Sequence, residues 1–285
     1  MNLIAALASI VLAAEPRAVK DIAYVEPKNE RQTLDVYYAP DGKNRPVVFW
    51  IHGGGWQQGD KSSVQVKPQY FVDRGFVFVS TNYRYVTQVT IDVITSDVAK
   101  AIRWTHEHAR EYGGDPNRLL VMGHSAGAQL AALVCTDESY LKHEGLPLAI
   151  VKACVPVDGD TYDVPLEIKM GNERRAAKGE PPPKFGHRAK FGDEAAQVKL
   201  SAVTHVAAGK NIPPFFLLHI DTNPETITQA KRLQTELQQA GIRAERFQST
   251  GVNHVDVSYN LGKPEDEPTA ALKKFLDEVL AESKR

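Results

Sequence analysis

A serine stands between two glycines in the segment Gly123-His124-Ser125-Ala126-Gly127. The segment matches the pattern Gly-x-Ser-x-Gly, in which a serine occupies a sharp turn between a strand and a helix. The flanking runs fit this context, because RLLVMG is typical of a buried strand and AGAQLAALV of a helix. In such a turn the hydroxyl is exposed above the sheet, and the helix N-terminus favours developing negative charge. Ser125 is therefore the candidate nucleophile for acyl transfer.

A second glycine-rich segment, HGGGW at residues 52–56, directly follows the apolar run VVFWI. Acyl transfer creates an oxyanion that needs preorganised backbone N–H groups, and losing one such donor costs ~3 kcal/mol of barrier. Consecutive glycines let the backbone approach a substrate closely. We expect the amides of Gly54, Gly55 and Ala126 to form an oxyanion hole. A phosphate-binding loop is disfavoured, because no Lys-Ser or Lys-Thr pair follows the glycines.

The candidate general base is His254, in the loop GVNHVDVSYN that follows the last strand. An imidazole can take the serine proton and return it to the leaving group, because its pKa lies near the working pH. His254 also follows Ser125 in the sequence, as expected for the chain order serine, acid, histidine that accompanies the Gly-x-Ser-x-Gly turn. His52 and His219 are interpreted as structural residues.

The acid that would orient this histidine is ambiguous. Its usual place is the loop after the penultimate strand, here HIDTNPET at residues 219–226. Asp221 and Glu225 are both available there, and a carboxylate is needed to stabilise the imidazolium. Glu225 lies at a helix start, where an acidic residue can serve only as a cap. Asp221 lies close to the strand end, which limits its reach towards the histidine.

These residues must be positioned by alternating strands and helices, and this alternation predicts a mostly parallel central sheet with helices on both faces. Residues 23–38 fit an antiparallel edge hairpin, and GGDPNR before the nucleophile strand has the composition of a turn. Residues 160–210 break the rhythm, with three consecutive prolines and many charges. We expect them to form a loop-rich insertion over the carboxyl edge of the sheet.

The bulk composition is that of an ordinary globular protein, and the chain is long enough for one large α/β domain. Of the 285 residues, 42% are hydrophobic and 24% charged, and the formal net charge is −1. This charge gives no general reason to expect binding to nucleic acid or to an acidic membrane surface. The two cysteines, Cys135 and Cys154, lie in apolar runs and are expected to be buried free thiols.

The first residues, 1–14, read MNLIAALASIVLAA, an apolar run of signal-peptide length that ends in small residues. Val11 and Ala13 fit the −3 and −1 positions of a cleavage site, although the run has no Lys or Arg before its apolar part. It is too short to span a bilayer comfortably, so no stable membrane insertion is expected. The leader predicts a periplasmic or secreted protein.

The two glycine motifs and the late Gly-Val-Asn-His loop together resemble the α/β-hydrolase superfamily. The likeness is to its esterase and lipase branch, near the hormone-sensitive-lipase and BD-FAE carboxylesterases, and it runs from residue 21 to the end. It implies Ser125 as nucleophile and His254 as base. Where many relatives have an acidic Asp, this chain has Asn223, and resemblance to a variant branch then favours Glu225 as the acid over Asp221.

The resulting prediction is a serine carboxylic-ester hydrolase that needs neither a metal nor an organic cofactor. Trp56 and His124 are placed at the substrate pocket, and Phe185 and Phe191 could line a mostly apolar one. The expected partner is a small-molecule or carbohydrate-linked ester. An amidase such as an arylformamidase, a peptidase of the same fold, or an inactive binding protein on this scaffold remain alternatives. The sequence gives no prediction of oligomeric state.

Overall fold

A computed structural model describes residues 16–282 of the chain. The leader at residues 1–14 lies outside the described residues, so its interpretation stays a prediction. Within residues 16–282, none of the helices is long and apolar enough to cross a membrane.

One mixed sheet forms the centre of the molecule. Its strands are β1 (Arg17–Ala23), β2 (Thr33–Tyr38), β3 (Arg45–Ile51), β4 (Val77–Thr81), β5 (Gly114–His124), β6 (Val151–Val157), β7 (Phe215–Ile220) and β8 (Ala244–Ser249). The spatial order is β1-β2-β4-β3-β5-β6-β7-β8. The β1–β2 and β2–β4 pairs are antiparallel and the pairs from β4 to β8 are parallel, which confirms the predicted α/β architecture with its edge hairpin.

Helices cover both faces of this sheet. The α-helices are α1 (Lys67–Asp73), α2 (Ile91–His108), α3 (Ala126–Thr136), α4 (Glu138–His143), α5 (Val164–Ala177), α6 (His187–Phe191), α7 (Glu194–Lys199), α8 (Pro224–Gln239), α9 (Asp256–Tyr259) and α10 (Glu267–Glu282), and 3-10 turns span Ala109–Tyr112, Leu148–Ile150 and Ala202–His205. Alternate residues of β3 pack into two separate apolar clusters, one with α2, α3 and α8 and the other with α1 and α10. Burial on both faces explains why the central strands are continuous apolar runs.

Two expectations about elements were wrong. Residues 114–118, predicted as a turn, begin β5, because Gly114 pairs with Arg45 across an irregular register. The insertion at residues 160–210 is largely helical rather than loop-rich, since it contains α5, α6 and α7. Asp163 caps α5 by accepting a hydrogen bond from the Leu166 N–H, a local signal that a composition-based interpretation overlooked. Helix α6 of the insertion contacts the segment that follows β3, since Phe191 packs against Trp56 and Lys190 donates to the Gly55 carbonyl.

A lysine that the sequence did not single out is fully buried. Lys67, at the start of α1, is 0% exposed. Its ammonium lies 4.8 Å from the centroid of the Trp50 ring and 3.3 Å from Oε1 of Gln65. Burial without a carboxylate in contact lowers the pKa of Lys67 from 10.5 to about 7.

Replacing Lys67 by methionine should therefore stabilise the protein. Because the folded-state pKa lies below the unfolded value, the cost of burying the charge is complete below about pH 7 and disappears as the pH rises towards 10.5. We expect Lys67→Met to raise the free energy of unfolding by about 1 to 3 kcal/mol at pH 7. Urea denaturation from pH 7 to 9.5 should show this gain shrinking with pH, whereas exposed Lys274→Met should show no such trend. An unchanged or lower stability of Lys67→Met at pH 7 would contradict the prediction.

Candidate active site

Ser125 occupies the turn between β5 and α3 in a strained conformation. Its φ and ψ are 56° and −120°, a region that costs a residue with a side chain about 1 to 3 kcal/mol. Its N–H is held by the Val157 carbonyl at 2.9 Å. A methyl group at Gly123 would lie 2.2 Å from the Gly127 carbonyl oxygen, and one at Gly127 would lie 2.2 Å from the Ile51 carbonyl oxygen. The close crossing of strand and helix therefore requires both glycines.

His254 reaches this serine from the loop between β8 and α9. Its Nε2 lies 3.0 Å from the Ser125 hydroxyl oxygen, which is hydrogen-bond distance for proton transfer. The backbone of the loop is held in turn, because Nε2 of His124 lies 2.7 Å from the His254 carbonyl oxygen. The structure thus places Ser125 and His254, the candidate nucleophile and candidate base, in contact.

The carboxylate that meets this histidine is Asp158, directly after β6. Its Oδ2 lies 2.6 Å from Nδ1 of His254, and its side chain is fully buried. The Asp158 N–H donates to the Leu218 carbonyl at 2.7 Å, and its Oδ1 accepts the Ile220 N–H at 3.1 Å. Asp158 is therefore fixed to the end of the neighbouring strand β7.

The predicted acids do not occupy this position. Glu225 lies in the first turn of α8, where it forms an ion pair with Arg174 at 2.7 Å. Asn223, at the register of the family's Asp, caps the same helix by accepting the Glu225 N–H at 3.0 Å. Asp221 has one buried carboxylate oxygen without a hydrogen-bond partner among the described residues. The placement of the acid in the loop after β7 was therefore wrong.

A weak signal for Asp158 was present in the sequence. The run VKACVPV is a buried strand, and Asp158 is the first residue after it. Carboxyl ends of adjacent parallel strands lie at one edge of the sheet, so the ends of β6 and β7 both lie near the loop that carries His254. Asp158 lies one strand earlier in the chain than the loop after β7, which is why the pattern of that loop does not include it.

The segment from residue 52 to residue 60, called the glycine loop below, lies beside Ser125. Nδ1 of His52 lies 2.7 Å from the Gly53 carbonyl oxygen, and the Gly54 carbonyl accepts the N–H groups of Gln57 and Gln58 at 3.1 Å. In a trans peptide the N–H points opposite to the carbonyl, so the Gly54 and Gly55 amides point away from these bonds. Both glycines have positive φ, 119° and 59°, and both line the cavity around Ser125.

The third predicted donor and the structural histidines lie as expected from the sequence. Ala126 is the first residue of α3, and the first N–H groups of a helix have no partner within it. His52 is buried and stacks on Tyr83 with ring centroids 4.3 Å apart. His219 is buried at the end of β7, with Nδ1 2.8 Å from the Ile220 carbonyl oxygen. Neither of these histidines contacts Ser125.

A family model describes most of this region. The BD-FAE model matches residues 34–237, more than half of the chain. The chain belongs to the BD-FAE family.

Curated relatives of this BD-FAE protein are ester hydrolases by name. It is 32% identical over 215 residues to the Mycobacterium tuberculosis protein "Probable carboxylic ester hydrolase LipM", covering 70% of this chain and 46% of the relative. It is 30% identical over 230 residues to "Esterase LipQ" of the same organism, covering 78% of this chain and 53% of the relative. The chain therefore spans about half the length of the curated relatives that it matches.

Solved structures show the same fold. Esterase B from Lactobacillus rhamnosis superposes with a TM-score of 0.75 at 20% identity, covering 95% of this chain and 90% of that one. Likeness at this identity supports the fold alone, and it confirms the predicted α/β-hydrolase fold for this BD-FAE protein.

The cavity around Ser125 of the BD-FAE protein is lined by both polar and apolar residues. Its volume is about 480 Å³. Gln57, Gln58 and Asp60 of the glycine loop line it, and Trp50, Val255 and Tyr259 add apolar lining. His124 lines it as predicted.

The other predicted pocket residues lie elsewhere, and their placement was wrong. Trp56 is only 2% exposed, and its indole N–H donates to Oε1 of Gln129 at 3.1 Å. Its ring packs edge-on against Phe191, which is buried, while Phe185 is 51% exposed. Helix α6 packs over the Trp56 ring and shields it from solvent. This contact joins the insertion to the glycine loop.

The electrostatics of the site favour proton transfer through His254. The His254 Nδ1–H donates to the negatively charged Asp158 carboxylate, and this hydrogen bond raises the pKa of His254 despite partial desolvation of the ring. Burial lowers the pKa of His124 to about 3, so this neighbouring ring stays neutral. The pKa shifts of the two neighbouring histidines therefore have opposite directions, and the raised pKa belongs to His254, which contacts Ser125.

Proposed function

We propose that this protein is a serine hydrolase that cleaves carboxylic esters through an acyl-enzyme formed on Ser125. One observation carries the proposal: the Ser125 hydroxyl lies 3.0 Å from His254 Nε2, and His254 Nδ1 lies 2.6 Å from the Asp158 carboxylate. The names of the relatives LipM and LipQ support the choice of ester as substrate class.

In the first half of the reaction, the Ser125 oxygen attacks the ester carbonyl while His254 takes its proton. The buried Asp158 carboxylate stabilises the imidazolium that forms. The amides of Gly54, Gly55 and Ala126 are proposed to bind the oxyanion. His254 then donates the proton to the departing alcohol oxygen, and the serine ester remains.

In the second half, water takes the place of the alcohol. His254 removes a proton from the water as it attacks the acyl carbon, and the proton then returns to the Ser125 oxygen as the acid leaves. The polar lining by Gln57, Gln58 and Ser63 supports small esters with a polar group near the scissile bond.

Labelling with a fluorophosphonate probe tests the nucleophile. We expect one probe per chain, on the tryptic peptide that contains Ser125, and no labelling of Ser125→Ala. Ser63→Ala is the matched control, since Ser63 lines the same cavity and should not affect labelling. Labelling that persists in Ser125→Ala would refute the proposal.

Comparison of p-nitrophenyl acetate with an aryl formamide tests the substrate class. An esterase should have the higher kcat/KM for the acetate. A higher value for the formamide would instead support the amidase alternative, with the same nucleophile.

The pH profile of kcat/KM should reflect the raised pKa of His254. Only the neutral imidazole accepts the serine proton, so activity should fall as the pH drops through a midpoint above 6.5. In Asp158→Asn the raising interaction is lost and desolvation remains, so the midpoint should move below 6.5. Initial rates between pH 5 and 9 measure both midpoints. An identical midpoint in the two proteins would contradict the role of Asp158.

We also propose that residues 1–14 direct export, supported by the apolar run and the small residues at positions 11 and 13. Intact mass of the protein recovered outside the cytoplasm should show loss of 13 or 14 residues. Recovery of the uncleaved chain in the cytoplasm alone would refute this proposal.

A further inference from the structure

The glycine loop is fixed from outside the active site by an arginine of the first hairpin. We propose that Arg31 positions the oxyanion-binding amide of Gly54, and that it does so by selecting the tautomer of His52. The link to catalysis rests on the proposed function, whereas the tautomer can be measured without a substrate.

The guanidinium of Arg31 bonds both ends of the glycine loop. At the far end, Nη1 donates to Oδ2 of Asp60 and Nη2 to the Gly59 carbonyl, both at 3.1 Å. At the near end, Nη2 lies 3.3 Å from Nε2 of His52. Further contacts fix the guanidinium plane, namely the Tyr83 carbonyl at 3.3 Å, Oδ1 of Asn82 at 3.2 Å and the Tyr85 ring centroid at 4.2 Å. A planar donor held on this many partners is rigid.

This contact and the Gly53 carbonyl together determine the protonation of His52. An arginine side chain has only donors, so Nε2 of His52 must be the acceptor. Burial lowers the pKa of His52 to about 4, so the ring is neutral and carries one proton. That proton must therefore be on Nδ1, which donates to the Gly53 carbonyl at 2.7 Å.

The bond from His52 fixes the peptide that carries the Gly54 amide. With its carbonyl bound to the imidazole, the Gly53–Gly54 peptide presents its N–H on the opposite side. In the other tautomer, the Nδ1 lone pair would face the carbonyl oxygen and repel it. The peptide would then rotate, and the Gly54 N–H would lose its alignment with the oxyanion. Arg31 is thus two hydrogen bonds away from the proposed donor.

A purely structural role for Arg31 makes a different prediction. If the residue only held the hairpin to the glycine loop, its loss would lower stability without altering the tautomer of His52. The ¹⁵N chemical shifts of the His52 ring distinguish the two roles. The signals of this ring are identified by their loss in His52→Gln.

The experiment compares wild type with Arg31→Met, Arg31→Lys and the control Arg232→Met. Arg232 is also ion-paired, with Asp163 and Glu236, so its loss matches the removal of a surface arginine. We expect Nδ1 of His52 to be protonated in wild type and a tautomer mixture in Arg31→Met. In Arg31→Met, kcat for p-nitrophenyl acetate should fall about 10- to 100-fold, with KM within about twofold. Arg31→Lys retains the charge beside Asp60 and should recover part of kcat.

Arg232→Met should change neither the tautomer nor kcat. An unchanged His52 tautomer in both Arg31 variants would overturn the inference, and so would a tautomer change with unchanged kcat. If Arg31→Met does not fold, Arg31→Ala, which also removes the donor to His52 and leaves room for water, replaces it in the same two measurements. Absence of ester hydrolysis by wild type would refute the proposed function, while the ring shifts would still test the proposed tautomer control.

Discussion

Replacing Ser125 by alanine should lower kcat for p-nitrophenyl acetate by about 10⁵- to 10⁶-fold. The variant keeps the glycine loop and His254, but no atom remains to form the acyl-enzyme. Alanine also relieves no strain, because φ of 56° at this turn is imposed by the strand and helix that flank it. Stopped-flow measurement should show that the acyl-enzyme burst of the wild type is lost.

The fold should persist in Ser125→Ala, so its thermal midpoint should lie close to that of wild type. Ser63→Ala serves as the control, because Ser63 lines the same cavity and contacts neither His254 nor Asp158 in the described structure. Loss of activity in Ser63→Ala comparable to that in Ser125→Ala would contradict the assignment of the nucleophile.

Replacing Asp158 by asparagine should lower kcat by about 10³- to 10⁴-fold. The Asn oxygen can still accept the Ile220 N–H at the position of Oδ1. Its amide would then donate to Nδ1 of His254, and the imidazole proton would move to Nε2. In that tautomer Nε2 can only donate towards Ser125, so the base is lost although the geometry remains.

Two control variants test whether loss of any negative charge near His254 has the same effect. They replace the two acids that were predicted from the sequence. Glu225→Gln and Asp221→Asn should each retain kcat within about threefold, because neither carboxylate contacts His254 in the described structure. The assays are run side by side above the acid limb of the pH profile. A larger loss in Glu225→Gln than in Asp158→Asn would show that the acid assignment from the structure is wrong.

Local sequence patterns predict the position of Ser125 but not the carboxylate that contacts His254. Ser125 and the glycine loop are recognisable because their conformations are local and need glycine at particular positions. The partner of His254 depends on which of two adjacent strand ends, β6 or β7, presents a carboxylate to the imidazole. Both ends lie at the same edge, and the deciding bonds, from Asp158 to Leu218 and from Ile220 to Asp158, connect residues about sixty positions apart.

The pocket lining depended on tertiary packing in the same way. A tryptophan after the glycines is compatible with either a pocket wall or a buried ring. Packing of α6 over Trp56 buries its ring, so other residues, among them Gln57, Trp50 and Tyr259, line the cavity. Arg31 has no sequence signal for function, because its partners His52, Gly59 and Asp60 lie in the glycine loop and contact the hairpin only in the folded protein.

The sequence by itself determined the α/β fold, the serine turn, the glycine loop and the loop that carries the histidine. These features follow from the periodicity of apolar residues and from backbone conformations that few residue types adopt. Only the tertiary structure decided which carboxylate faces His254, which side chains line the cavity and which arginine holds the glycine loop. Those outcomes depend on the register of neighbouring strands and on packing between distant segments, and neither is encoded in a local pattern.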